Sequence, residues 1–109
     1  MEYLETQEQL EVLLGKVPDV PAPKGITVIY FTAPWCGACK RLDMDFVRAA
    51  TPYASWLKCD VDRNTYSPGY CGVRAIPAFM IIRDGAILGS LQSADTMKVA
   101  GWIKTTTGN

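Results

Sequence analysis

The sequence predicts an α/β domain: a small central mixed sheet flanked by helices on both faces. Three observations predict it. A β-branched and aromatic run at residues 26–31 reads as a strand buried on both faces. A helical stripe and then a second strand follow it, and a strand–helix–strand unit wants a parallel pair with a right-handed crossover. Later, residues 78–82 and 86–91 flank Asp84-Gly85, a strong two-residue hairpin signal that adds antiparallel strands. With 109 residues the chain suffices for one domain, residues 1–109, and not for two.

Each element has its own local reason. Thr6 and Gln9 have the spacing of a capping box, Leu10, Leu13 and Leu14 supply a helical stripe after it, and Gly15 stops it. Residues 15–25 hold Pro18, Pro21 and Pro23 and read as an extended connector. From Cys36, Leu42, Phe46, Val47 and Ala50 recur at helical spacing until Thr51-Pro52 ends the helix. Residues 54–61 read as the second strand, and residues 64–70 as one or two polar helical turns. Ser93 or Asp95 caps a last helix carrying Met97, Val99, Ala100, Trp102 and Ile103.

Composition excludes several function classes. Lys plus Arg and Asp plus Glu both total 11, so the net charge is zero and no basic surface for nucleic acid is expected. There is no histidine, which removes the Ser-His-Asp triad, Cys/His catalysis and His-ligated metals. Apolar residues at 49% support a packed core rather than disorder. The longest apolar run, residues 75–82, is too short to span a bilayer, so no membrane association is expected. The acidic start lacks the pattern of a signal peptide, which sets a cytoplasmic, reducing location as the expectation. Four cysteines are too few for a disulfide-stapled scaffold, and a cysteine pair in such a compartment points to catalysis or metal binding.

The pair that carries chemistry is Cys36 and Cys39 in Trp35-Cys36-Gly37-Ala38-Cys39-Lys40, between the first long strand and its following helix. Cysteines three apart on a first helical turn have Cα atoms about 5–6 Å apart, within disulfide range. The first faces the unpaired N–H groups of the helix start, which draw a thiol from about 8.5 toward about 7 or below. A thiolate is the attacking species in thiol–disulfide exchange. A zinc half-site is the competing reading of any CxxC. It would need Cys59 and Cys71 or carboxylates as further ligands, and the spacing of those two is not that of a second zinc knuckle. The strand-to-helix setting favours redox chemistry.

The segment Phe31-Thr32-Ala33-Pro34-Trp35-Cys36-Gly37-Ala38-Cys39-Lys40 resembles the active site of the thioredoxin family, and Val73-Arg74-Ala75-Ile76-Pro77 resembles its cis-proline loop. The likeness extends over about residues 1–105. It implies a thioredoxin fold in which Cys36 is the nucleophile and Cys39 resolves the mixed disulfide. It further implies a cis Pro77 that keeps metals from the thiols and sets the backbone of Ile76 against an extended substrate. Trp35, Gly37 and Ala38 would line the same groove, with Ser93 and Ala94 on its far side. The implied partners are protein disulfides and a thioredoxin reductase acting in trans on a monomer. No dinucleotide fingerprint is present, so no cofactor is expected in the chain itself.

Four positions depart from the family pattern. Tyr30 stands where thioredoxins carry a buried Asp that moves the proton of the resolving cysteine, and Lys58 matches the Lys usually paired with it. Tyr30 is no carboxylate near neutrality, so deprotonation of Cys39 falls to Lys58, water or the leaving group. Ala38 replaces the usual Pro, which is expected to raise the potential from about −270 mV toward about −180 mV. Met44 replaces a kinking Pro, so a straighter helix is expected. Ser93 replaces a groove glycine. Outside the motif, Cys59 is expected to be a buried strand residue and Cys71 to lie near the groove, open to glutathionylation if exposed. The leading reading is a general protein disulfide reductase. The alternatives are an oxidase or isomerase, which needs an oxidising compartment, and a non-redox binding module, which needs neither cysteine.

Overall fold

A computed structural model describes residues 1–108. In chain order the elements are β1 (Glu2–Tyr3), α1 (Gln7–Leu13), β2 (Ile26–Thr32), α2 (Gly37–Lys40), α3 (Met44–Ala49), β3 (Ser55–Asp60), α4 (Tyr66–Tyr70), β4 (Ala78–Arg83), β5 (Ala86–Gln92) and α5 (Thr96–Thr107). The strands form one sheet in the order β1-β3-β2-β4-β5. The β1–β3 and β2–β3 pairs are parallel, and the β2–β4 and β4–β5 pairs antiparallel, as the strand–helix–strand unit and the hairpin require.

Strand alternation sorts the apolar side chains into two layers. Val28, Tyr30, Trp56, Phe79 and Ile81 meet Val47, Ala50, Val99, Ala100 and Ile103 of α3 and α5. Ile29, Phe31, Cys59, Ala78, Met80 and Ile82 meet Leu10 and Leu13 of α1, with Tyr66 and Cys71 of the α4 region packed beside them. Helices therefore cover both faces. Phe79 joins strands within the first layer: Tyr30 stacks on it at 5.0 Å between centroids, and Trp56 meets it edge-on at 6.5 Å.

The caps follow the sequence closely. Thr6 and Gln9 form the capping box of α1. Asp95, not Ser93, caps α5 by accepting the Lys98 N–H, while the Ser93 hydroxyl accepts the Asp95 N–H. At the hairpin both Asp84 and Gly85 have positive φ, 50° and 86°. A Cβ on Gly85 would stand 2.9 Å from the Ala22 Cβ, so glycine also lets the turn approach the connector. Asp84 fastens that approach, its carboxylate accepting the Gly25 N–H and its own N–H donating to the Gly25 carbonyl.

Two expectations are corrected. The helix from Cys36 does not run straight through to Ala50: it breaks between α2 and α3 although Met44 stands where a proline would kink it. Asp43 makes the break. Its backbone is extended (φ −85°, ψ 92°), its carboxylate caps α3 on the Phe46 N–H, and its own N–H donates to Thr96 Oγ1 at 3.0 Å. A cap and a tether to α5 thus do the work expected of a proline. The second correction is β1, two residues with no periodicity to read, recruited by pairing with Leu57 and Lys58.

Two measurements test this packing. Phe79→Ala removes both ring contacts and opens a cavity, and should cost about 3–5 kcal/mol, read as a lower urea midpoint; a loss below about 1 kcal/mol would deny Phe79 its joining role. The second concerns pH. Burial first, then the charges of Cys71 and Asp60, push the Cys59 thiol up to about 12, and burial pushes Cys71 up to about 11. Above pH ~9 the unfolded thiols lose protons that the folded ones keep. Their contribution is therefore complete below pH ~9 and lost as pH rises through the folded values. Cys59→Val should flatten the fall of the urea midpoint above that pH, and an unchanged slope would contradict it.

Candidate active site

Strand β2 ends at Thr32, and the chain turns at once into α2 through Ala33, Pro34 and Trp35, with the Cys36 N–H donating to the Ala33 carbonyl. Cys36 is the N-cap of α2, and its Sγ accepts the Cys39 N–H at 3.1 Å. Cys36 and Cys39 are joined in a disulfide with Cα atoms 5.3 Å apart, in the range their spacing predicts. Both are buried, packed with Ala33 and against Ala38, Val61 and Ile76. Cys36 nonetheless lines a cavity of about 600 Å³, whereas Cys39 does not. An attacking and a resolving sulfur differ in this way.

The cavity gathers most of the expected groove. Trp35, Gly37, Ala38 and Ile76 line it with Cys36. Trp35 is 66% exposed, a large apolar surface left open at the rim. The Ile76–Pro77 bond is cis, and Pro77 itself is buried behind the lining. Ser93 and Ala94 do not line this cavity. Ser93 is buried beyond Pro77, held by its N–H donating to the Pro77 carbonyl at 3.3 Å.

Sequence reasoning missed the far wall, which comes from Val61, Thr65, Pro68, Gly69, Val73 and Arg74. Three of these lie on or beside the short α4, anchored by Asn64. The buried Asn64 amide donates to the Leu4 carbonyl and Ser67 Oγ and accepts the Ser67 N–H. Also missed was Asp62, whose carboxylate accepts the Trp35 indole N–H at 2.6 Å and fixes the ring at the rim. An exposed Asp two residues past a strand gives no sequence signal for a contact 27 residues away.

Tyr30 and Lys58 sit side by side in the β2–β3 register, as family matching suggests, but with other partners. Tyr30 is a core aromatic on Phe79. Burial pushes its hydroxyl above the ordinary tyrosine range against a smaller effect of a hydrogen bond with Thr32, so it stays neutral. Lys58 places its ammonium 5.8 Å from the centroid of the Tyr3 ring and lines a small pocket with Thr32 and Asp60 that contains neither cysteine. Cys59 is fully buried as expected. Cys71 is half-buried and lines a pocket with Ser90 and Gln92 that adjoins the cavity of Cys36, the two sharing Val73, Arg74 and Ala75, so it lies near the groove without lining it. Among the described residues no cluster of three Cys, Asp or Glu side chains is placed to hold a metal.

Comparison with known proteins agrees with this geometry. The thioredoxin family model matches residues 16–105. The chain is 34% identical over 79 residues to the mitochondrial thioredoxin-3 of Saccharomyces cerevisiae, covering 71% of this chain and 62% of that protein. It thus spans somewhat less than two thirds of that relative's length. Thioredoxin-1 of Schizosaccharomyces pombe is 31% identical over 81 residues, 72% of this chain and 79% of its own. In three dimensions the chain is similar to the thioredoxin of Fasciola hepatica, with a TM-score of 0.80 and 28% identity over 97% of this chain and 99% of that one. A bridged cysteine pair at a strand-to-helix turn, a cis-proline loop beside it and a match over residues 16–105 make this chain a member of the thioredoxin family.

Proposed function

We propose that the protein is a thiol–disulfide oxidoreductase working as a general protein disulfide reductase, as a monomer in a reducing, cytoplasmic setting. The observation that carries this reading is the Cys36–Cys39 pair, bridged, with only Cys36 opening on the cavity. In the reduced chain the Cys36 thiolate attacks one sulfur of a substrate disulfide. A Cys36–substrate bond forms as the substrate bond breaks, and the departing thiolate takes up a proton. Cys39 then attacks Cys36 Sγ, restores the Cys36–Cys39 bond and releases the second substrate thiol. Two electrons pass to the substrate. A thioredoxin reductase in trans returns them.

The chain's own groups act at stated atoms. The Cys39 N–H donates to Cys36 Sγ, the kind of partner that favours a thiolate. The backbone of Ile76 beside the cis bond orients an extended substrate segment, and the exposed Trp35 ring offers it an apolar surface at the rim. Lys58 turns its ammonium to the Tyr3 ring in a pocket that contains neither cysteine, and Tyr30 stays neutral, so the Cys39 proton passes to water or to the leaving thiolate.

Three outcomes follow. Cys36→Ser should abolish reduction, while Cys39→Ser should accumulate a mixed disulfide visible by mass; turnover by Cys36→Ser would remove the reading. Equilibrated against glutathione buffers, the pair should show a potential nearer about −270 mV than about −180 mV, and a value at the upper end would move the function to oxidase or isomerase work. The rate of mixed-disulfide resolution should rise with pH through one thiol ionisation alone. A second ionisation between pH ~5 and ~8, as a buried carboxyl would give, would mean that a carboxylate still moves the proton.

A further inference from the structure

Among the described residues Arg74 is the one charged side chain on the lining of the cavity that Cys36 opens into; the rest of that lining is apolar or carries a hydroxyl, a thiol-derived sulfur or backbone groups. It is exposed, and among the described residues its guanidinium has no hydrogen bond or ion pair. Arg63, Arg83 and Lys16, by contrast, are engaged: Arg63 pairs with Glu5, Arg83 donates to the Thr107 carbonyl, and Lys16 donates to the Tyr70 hydroxyl. Asp62, the acid beside the rim residue Trp35, already accepts the indole N–H. Among the described residues Arg74 thus has no acidic partner.

Resting on the reductase reading above, we infer that Arg74 makes the cavity prefer disulfides whose attacked cysteine is flanked by acidic side chains. Arg74 precedes Ile76 by two residues, so their Cα atoms are at most about 7 Å apart. A substrate strand lying along Ile76 with its sulfur at Cys36 therefore carries its flanking residues within reach of the long guanidinium stem. That group is charged at every working pH and matches a carboxylate with two parallel N–H donors. The chain's net charge of zero leaves no global field to override one local charge.

The test uses the full chain, reduced beforehand, and two peptides that differ only in having Glu or Lys on both sides of a single Cys. Each Cys is held as a mixed disulfide with thiopyridine. Cys36 attacks the peptide sulfur and expels pyridinethione, Cys39 then releases the peptide thiol, and the chain ends oxidised by two electrons. Thione absorbance gives the rate, divided by that of dithiothreitol on the same peptide to remove intrinsic reactivity. The Glu peptide should react about three- to fivefold faster than the Lys peptide at low salt, with the ratio shrinking toward one at ~0.5 M salt. Arg74→Gln should bring the low-salt ratio close to one, and Arg74→Glu should invert it. A ratio of one in the unaltered chain, or the same ratio in Arg74→Gln, overturns the inference while reduction itself stands. If neither peptide reacts faster than with Cys36→Ser, the reductase reading falls and takes the inference with it.

Discussion

Everything else in the structure hangs on the desolvation of strand β2. Lying between β3 and β4 and covered on both faces, it has no water to satisfy its backbone, so its N–H and C=O groups must be paired in the two ladders. That requirement fixes the parallel register with β3 and the antiparallel register with β4 at once. Alternate side chains of the same strand then seed the two helix-covered layers. Because β2 cannot slip by a residue without turning both layers inside out, the point where it ends is equally fixed. Cys36 follows four residues after Thr32, and the sulfur chemistry inherits its position from a ladder that contains no sulfur.

Around that fixed point, single polar contacts set the loops. Asp43 ends α2 and ties the start of α3 to α5; Asn64 holds α4 against Leu4; Ser93 joins the cis-proline loop to the start of α5; Asp62 holds Trp35. Each satisfies a donor or acceptor that the turn would otherwise leave open, which is how a 4-residue helix keeps its place. The wall facing Cys36 is therefore built by residues remote from the motif in sequence.

Tyr30, at the position where the resemblance implies a carboxylate, shows how local such a departure is. The ring adds an aromatic partner to Phe79 and removes a buried ionisable group whose desolvation would otherwise be a cost. Lys58, left without an acidic neighbour on β2, finds the Tyr3 ring on the added edge strand instead. One residue thus changes both the packing beside Phe79 and the partner that Lys58 finds.

By itself the sequence determined the parallel strand–helix–strand unit, the hairpin, the capping of α1 and the cysteine pair, because each rests on short-range physics: alternation, turn chemistry, and two sulfurs one helical turn apart. Only the tertiary structure decided the break at Asp43, the two-residue β1, the partner of Trp35 and the far wall with Arg74. Those rest on contacts between segments such as Asp43 with Thr96 and Asn64 with Leu4, 53 and 60 residues apart, where no local periodicity reports which groups will meet.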